Sequence, residues 1–393
     1  MAVRHGYGKI AGADALVFAY DTGDTVNSFK GRPTINYGPA DLASWALESA
    51  DVKRIATGNY YKGQPTYNCR TALGSSWIAL NTTISGLRTA AGTGGTVTMS
   101  CMVRNSNSTA YPMYAFIGHD FGSTRTIAAN SDWQKIQWTV NQSNMNNDYV
   151  EFRPYTNTDG VYLEMTMPMV EVNVTNASQF VNGTRSATQG LLDLTGNSTI
   201  DLTNVNGYNS DAQLEFDGTN DAFFINIDDW IRTVDDVTVE GVVEIPAGAS
   251  IVGGPWAIMT DHAVDSEKDG FWWHMSLGGG YTYFRVEDTV YGERGITFGN
   301  PSTFSAGNTY HIATVVGNNG VYVYNNGVLV ESYNPPFNWA DISSSHIASL
   351  IVGRTFPGYF LNSVNHNVKL YNRALTADEV RNNYRHYKTR FNI

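Results

Sequence analysis

The chain has little charge, almost no cysteine and no long apolar run, and each shortage removes a class of protein. Charged residues make up 16% of 393, against roughly 25% in an ordinary soluble domain. The 25 Lys and Arg are scattered among 36 Asp and Glu, for a net charge of −11. Phosphate binding needs clustered Lys and Arg, so nucleic acid and anionic membrane surfaces are poor partners. Cys69 and Cys101 are the only cysteines, too few for a disulfide framework in so long a chain, and free thiols are expected. No run approaches the roughly 18 apolar residues of a membrane span, so no membrane insertion is expected. The opening "MAVRHGYGKIAGADALVFAY" has neither the apolar core nor the cleavage site of a secretory leader. Synthesis in a cytoplasm is therefore expected. The Asn-X-Ser/Thr triplets at Asn81, Asn107, Asn173, Asn182 and Asn197 are then a by-product of composition.

What the chain has in plenty is β-sheet material. Aromatics are 12%, with 23 Tyr, and 38 Gly punctuate the apolar runs. Period-two alternation recurs in "TVTMSCMVRN" (96–105), "DDVTVEGVVEI" (235–245) and "YTYFRVEDTVY" (281–291). Turn clusters such as "AGTGG" and "GNN" follow at short spacing, the pattern of antiparallel sandwiches. In "VYVYNNGVLV" (321–330), Asn326-Gly327 supplies the two positive-φ positions of a type I′ hairpin. The expected fold class is all-β, with two antiparallel β-sandwich (jelly-roll) modules. One segment has a helical pattern and a capping box, "LTADEVRNNYRHY" (375–387), where Thr376 precedes Glu379 by three residues. A weaker helix is expected over "PADLASWALES" (39–49).

The modules are expected over 51–182 and 183–393, joined by the polar stretch "NASQFVNGTRSATQG" (176–190). Residues 1–50 have two readings. "ALVFAY" (15–20) is too short an apolar strand to bury itself. It either completes the C-terminal sandwich beside 368–371, which makes the first module an insertion, or it is an arm docking on a neighbouring subunit.

Two segments in the C-terminal third, and one upstream of it, carry a resemblance. "TYHIATVVGNNGVYVYNNGVLVESY" (309–333), "SLIVGRTFPGYFLNSVNHNVKLYNRALTADEV" (349–380) and "LEFDGTNDAFFIN" (214–226) resemble, in order, parts of laminin-G/concanavalin-A-like domains. The combination with a preceding carbohydrate-binding-module-like jelly roll ending "FVNGTRS" is similar to virion structural proteins of tailed bacteriophages. The resemblance implies a non-enzymatic virion component, a capsid decoration or tail fibre, assembled in the host cytoplasm. Its implied partners are other virion proteins, further copies of itself and host-surface glycans. Two alternatives stand beside it, a dedicated host-glycan adhesin and a polysaccharide depolymerase. In place of the acidic residues that many such domains carry before the final strand, this chain has "NSVNHNV" (362–368).

Few residues carry recognisable chemistry. The Glu-X-Asp-X-X-Glu strand of laminarinase-like glycosidases is missing, and Glu287-Asp288 point to opposite faces of a strand. No catalytic residue is assigned. Asp261, Asp265 and Asp269, with Glu267 between them, form a weak calcium candidate in "TDHAVDSEKDG". Its match to the twelve-residue calcium loop is poor, because the sixth-position Gly and the closing Glu are missing. No cofactor is otherwise implied. Asp217 and Asp221 are expected to fix turns. For a glycan, the candidates are Trp272, Trp273, His274, Tyr281 and Tyr283 in "GFWWHMSLGGGYTYFRV" (270–286). Consecutive Trp on a strand face opposite ways, so one is expected outward as a platform for a sugar's C–H face. The plain alternative is that all of them fill the sandwich or an interface.

Overall fold

Alternating Val, Ile, Phe and Tyr give strands throughout, and their pairing divides the chain into two compact units, residues 34–185 and residues 1–33 with 186–393. The computed structural model describes residues 11–393 apart from 50, 72–78, 119, 157, 210–213, 250–251, 261–268, 277–280, 299–303, 335 and 356–358. The side chains of 252, 274–276, 281–283 and 296–298 are not described.

Unit 34–185 is a jelly roll. In one sheet the strands Arg125–Ile127, Tyr111–Ile117, Tyr149–Pro154, Leu80–Thr83 and Ala46–Leu47 lie in that order. The facing sheet runs Ser131–Asn141, Thr96–Asn105, Leu163–Val172, Gln64–Arg70, Lys53–Tyr61. Inward side chains, among them Trp45, Met99, Cys101, Trp138 and Phe152, form its core. Cys69 and Cys101 are buried free thiols, and burial pushes both thiol pKa values up. Thr34–Ile35 pairs with Thr184–Arg185, so the two ends of the unit meet in a short ladder.

In the other unit, we label β1 (Leu16–Asp21), β2 (Asp236–Ile245), β3 (Asn308–Gly317), β4 (Gly320–Asn325), β5 (Val328–Tyr333), β6 (Asn362–Tyr371) and helix α1 (Ala377–Phe391). The first sheet runs β1-β6-β2-β3-β4-β5. The second runs Phe223–Asn226, Ser349–Val352, Trp256–Met259, Gly270–Ser276, Tyr281–Asp288, Gly292–Phe298. Phe18, Tyr20, Val239, Trp256, Trp273 and Ile312 belong to the core of this sandwich.

β1 pairs antiparallel with β6, Leu16 opposite Tyr371 and Tyr20 opposite Val368. An open edge on β1 would be a template for unwanted pairing. It is sealed by 193–197: Asp193 Oδ1 accepts Ala19 N–H at 3.0 Å, and the Thr195 and Asn197 side chains donate to Val17 O at 3.1 Å each.

α1 covers the first sheet's outer face. Its capping box is formed, with Thr376 accepting Glu379 N–H and Glu379 Oε2 accepting Thr376 N–H at 2.8 Å. Arg373 grips the same carboxylate at 2.7 and 2.9 Å and, with the cap, holds its pKa at about 2. Beneath the helix, Glu240 is fully buried, bonded to Tyr371 Oη at 2.7 Å and Asn383 Nδ2 at 3.0 Å, with Lys369 Nζ at 3.4 Å. Burial disfavours the Glu240 charge, but Lys369, His311 and Tyr371 outweigh it and hold the carboxyl below its ordinary range.

Two expectations need correction. The boundary drawn at residue 50 falls at 33, because Leu42 and Trp45 pack into the jelly-roll core. The helix over 39–49 is a single 3-10 turn, Leu42–Ser44, followed by the strand Ala46–Leu47. There the Trp45 indole donates to Pro39 O at 2.9 Å, which suits a turn packed on a core rather than a free amphipathic helix.

Candidate functional site

The tryptophan pair alternates as strand geometry demands, yet neither indole faces water. Trp273 is fully buried, packs on Phe284 and Phe304, and its Nε1 donates to Thr314 Oγ1 at 3.2 Å. Trp272 points to the opposite face of the sheet and is still only 2% exposed, packed with Ala257, Met259 and Ile351. The expected platform is therefore not formed by Trp272 or Trp273. The side chains of His274, Tyr281 and Tyr283 lie outside the described residues. So do Asp261 and Asp265, while Asp269 Oδ2 accepts Ser343 N–H at 2.7 Å and ties two loops. Among the described residues no group of three or more His, Cys, Asp or Glu is placed to hold a metal ion.

The same sheet face carries a cleft that sequence reasoning missed. It encloses about 350 Å³ between Asn204, Asn206, Asn220, Ala222, Phe224, Arg354 and Phe360. The strand Phe223–Asn226 pairs with Ser349–Val352, Phe224 opposite Ile351. Alternation buries Phe223 and Ile225 in the core and sends Phe224 to the other side, against the patch around Trp272. Arg354 follows Gly353, whose φ of 94° admits no ordinary side chain, and an added Cβ would lie 2.3 Å from the Phe216 ring. That turn sets the Arg354 guanidinium 4.8 Å from the Phe224 ring centre and 5.6 Å from that of Phe360. Burial draws its pKa down, but a guanidinium stays protonated in proteins.

The asparagine rim is held from beneath by Asp221. This fully buried carboxylate accepts the backbone N–H groups of Asn206 at 2.7 Å, Gly207 at 3.1 Å and Asp217 at 3.1 Å. Burial raises its pKa against the pull of those amides. Asp217 in turn accepts Thr219 and Asn220 N–H at 2.7 and 3.1 Å, fixing the loop that carries Asn220. Two buried or turn-forming acids thus shape a rim whose own polar groups are amides.

Chemically the cleft presents two phenyl rings, three carboxamides and one cation, and no carboxylate stands among the described residues of its lining. Rings offer apolar faces, amides both donate and accept, and the guanidinium donates in a planar fork. The signals for it were an Arg inside the apolar-aromatic run "IVGRTFPGYF" and the Asn-rich "LTNVNGYNSD".

The concanavalin A-like lectin/glucanases superfamily, laminin G type, matches residues 252–381, so the C-terminal region holds a lectin-like domain of this kind. Solved structures similar to the chain include the CBM40 of Ruminococcus gnavus IT-sialidase bound to α2,3-sialyllactose. It is 11% identical, with a TM-score of 0.34 over 43% of this chain and 94% of that one. The binding domain of botulinum neurotoxin serotype D is similar at 12% identity and a TM-score of 0.38, over 50% of this chain and 49% of that one. The NanB sialidase of Streptococcus pneumoniae follows at 15% identity and 0.33, over 40% of this chain and 26% of that one. Comparison with curated protein sequences gave no match.

Proposed function

We propose that the protein is a non-catalytic glycan-contacting protein and that the cleft beside Arg354 is where its C-terminal unit holds the sugar. The lining carries this reading: Asn204, Asn206 and Asn220 match the alternating donors and acceptors of sugar hydroxyls, and Phe224 and Phe360 match a sugar's C–H faces. A glycosidase needs two carboxyl groups flanking the scissile bond, whereas Asp217 and Asp221, which shape the rim of this cleft, are engaged with backbone amides. The setting we infer is the virion of a tailed phage. The order of the modules supports it, as do neutral polar surfaces suited to many packed copies and to contact with other virion proteins.

The test is a glycan array probed with the full chain and with Phe224→Ala and Arg354→Ala. Binding to a defined set of glycans, lost in both variants, is the expected result. An array blank for the wild-type chain, or binding unchanged in the variants, overturns the assignment. Release of reducing ends from a bound polysaccharide would make the protein a depolymerase instead.

A further inference from the structure

Beneath α1 the first sheet carries an amine, a carboxylate and a carboxamide in mutual reach, and sugar binding uses none of them. Glu240 on β2 stands directly opposite Lys369 on β6, so the two side chains leave the sheet side by side. They rise on the face that α1 covers, because Asn383 of α1 bonds Glu240. Asn383 lies mid-helix, where a short amide side chain competes with the backbone and lowers helix propensity. All three are buried: Glu240 fully, Asn383 at 1% exposure and Lys369 at 4%.

One oxygen gathers the other two groups. Glu240 Oε1 accepts Asn383 Nδ2 at 3.0 Å and lies 3.4 Å from Lys369 Nζ. Two atoms that share one oxygen at ordinary hydrogen-bond angles lie within roughly 5 Å of each other. The amine and the carboxamide are therefore neighbours across a single carboxylate. The carboxamide is also polarised, since its Oδ1 accepts Ala11 N–H at 2.9 Å, a donor placed where negative charge develops if an amine attacks Cγ. Tyr371 Oη donates to Glu240 Oε1 at 2.7 Å, and the Tyr387 ring centre lies 4.4 Å from Nζ. Burying an ammonium and a carboxylate is costly even when they pair. Burial draws the Lys369 pKa down, toward the neutral amine that is the nucleophile.

We propose that Lys369 and Asn383 become joined by an isopeptide bond whose formation Glu240 promotes. Glu240 takes one proton from the Lys369 ammonium, and the freed Nζ attacks Asn383 Cγ. The Nζ–Cγ bond forms and the Cγ–Nδ2 bond breaks. Glu240 passes its proton to Nδ2, which leaves as ammonia, and takes a second proton from Nζ. Nothing is oxidised or reduced and no co-reactant is consumed. An ion pair is replaced by a neutral amide and a neutral acid, so two buried charges disappear. The ion pair described above is the unreacted state, and a chain lacking Lys369 cannot leave it by this route. The bond pins α1 to β6 and constrains the unfolded chain as a disulfide does, with no need of an oxidising compartment. The inference uses no residue of the Arg354 cleft and stands or falls separately from it.

Intact mass spectrometry of the full chain, folded and incubated at neutral pH, tests it. The mass is expected below that of the sequence by one ammonia. Trypsin does not cut at an acylated lysine, so its digest should contain residues 355–373 linked to residues 382–385. Fragment ions should place the link between Lys369 and Asn383. Lys369→Arg keeps the cation, Glu240→Gln keeps the shape, and both are expected at full mass with no linked peptide. Should either variant not fold, the wild-type digest decides. Full mass in folded wild-type protein overturns the proposal, as does ammonia lost with 382–385 unlinked, the signature of a succinimide at an Asn-Gly pair. A link still formed in folded Glu240→Gln overturns the part given to its carboxylate.

Discussion

Replacing Gly327 by Val strikes the hairpin and the helix above it together. Asn326 and Gly327 have φ of 50° and 73°, the pair of positive values that a type I′ turn requires. Asn326 Oδ1 also accepts His311 N–H at 2.9 Å, so the turn is bolted to β3. A β-branched residue at a φ of 73° costs about 1–2 kcal/mol in backbone strain alone. A Cβ at Gly327 would also lie 2.9 Å from Tyr384 Cδ1 and 3.0 Å from Tyr384 Cβ, on α1. Displacing that ring adds about 1–3 kcal/mol of overpacking. The expected loss is about 3 kcal/mol, with Gly327→Ala milder because its single methyl avoids the β-branch. In a unit of this size each kcal/mol lowers Tm by roughly 2–4 °C, so a fall of about 6–12 °C is expected. With two units in the chain, the melt is resolved by calorimetry as separate transitions, and only that of the C-terminal unit should move. A Gly327→Val transition superimposable on wild type would refute both the turn and the contact with Tyr384.

Glu379→Gln keeps the cap geometry but loses the ion pair to Arg373, and should cost about 1 kcal/mol at neutral pH, since both partners are partly exposed. Because the folded carboxyl titrates at about 2, below its unfolded value, that stabilisation is complete above the ordinary carboxylate range. The gap between wild type and variant should therefore close as pH falls toward 2, and a gap independent of pH in urea titrations would contradict the ion pair. Lys369→Met leaves the buried Glu240 carboxylate without its cation and should cost about 3–5 kcal/mol. The Glu240→Gln/Lys369→Met double variant should regain part of it, and additive losses would show that the two charges do not interact. Ellman's reagent should find no reactive thiol in the native protein and two after unfolding, because Cys69 and Cys101 are buried and reduced. Native labelling, or none after unfolding, would contradict that state.

Local chemistry made much of the architecture legible. A capping box needs only Thr376 and Glu379, and α1 begins there. Asn326-Gly327 names its own turn type. "ALVFAY" is too short to bury itself and leaves two readings open; the structure lays β1 against β6 from Leu16 to Asp21. The segment 39–49 failed because the helical spacing of Leu42 and Trp45 is outweighed by their tertiary packing.

The candidate site was less legible, for a different reason. Alternation correctly put Trp272 and Trp273 on opposite faces, but a face is open only if nothing packs on it, and both faces of that sheet are covered at this strand. The Arg354 cleft joins residues 204, 220 and 354 from separate loops, and no spacing along the chain announces that meeting.

The most direct test of the central claim is an experimental structure of the full chain with the best glycan from the array. The account predicts ligand density in the cleft, a sugar ring packed on Phe224 or Phe360, and its hydroxyls within hydrogen-bond distance of Asn204, Asn206 or Asn220. A fully bound glycan seated elsewhere on the C-terminal unit, with the cleft beside Arg354 empty, would contradict it.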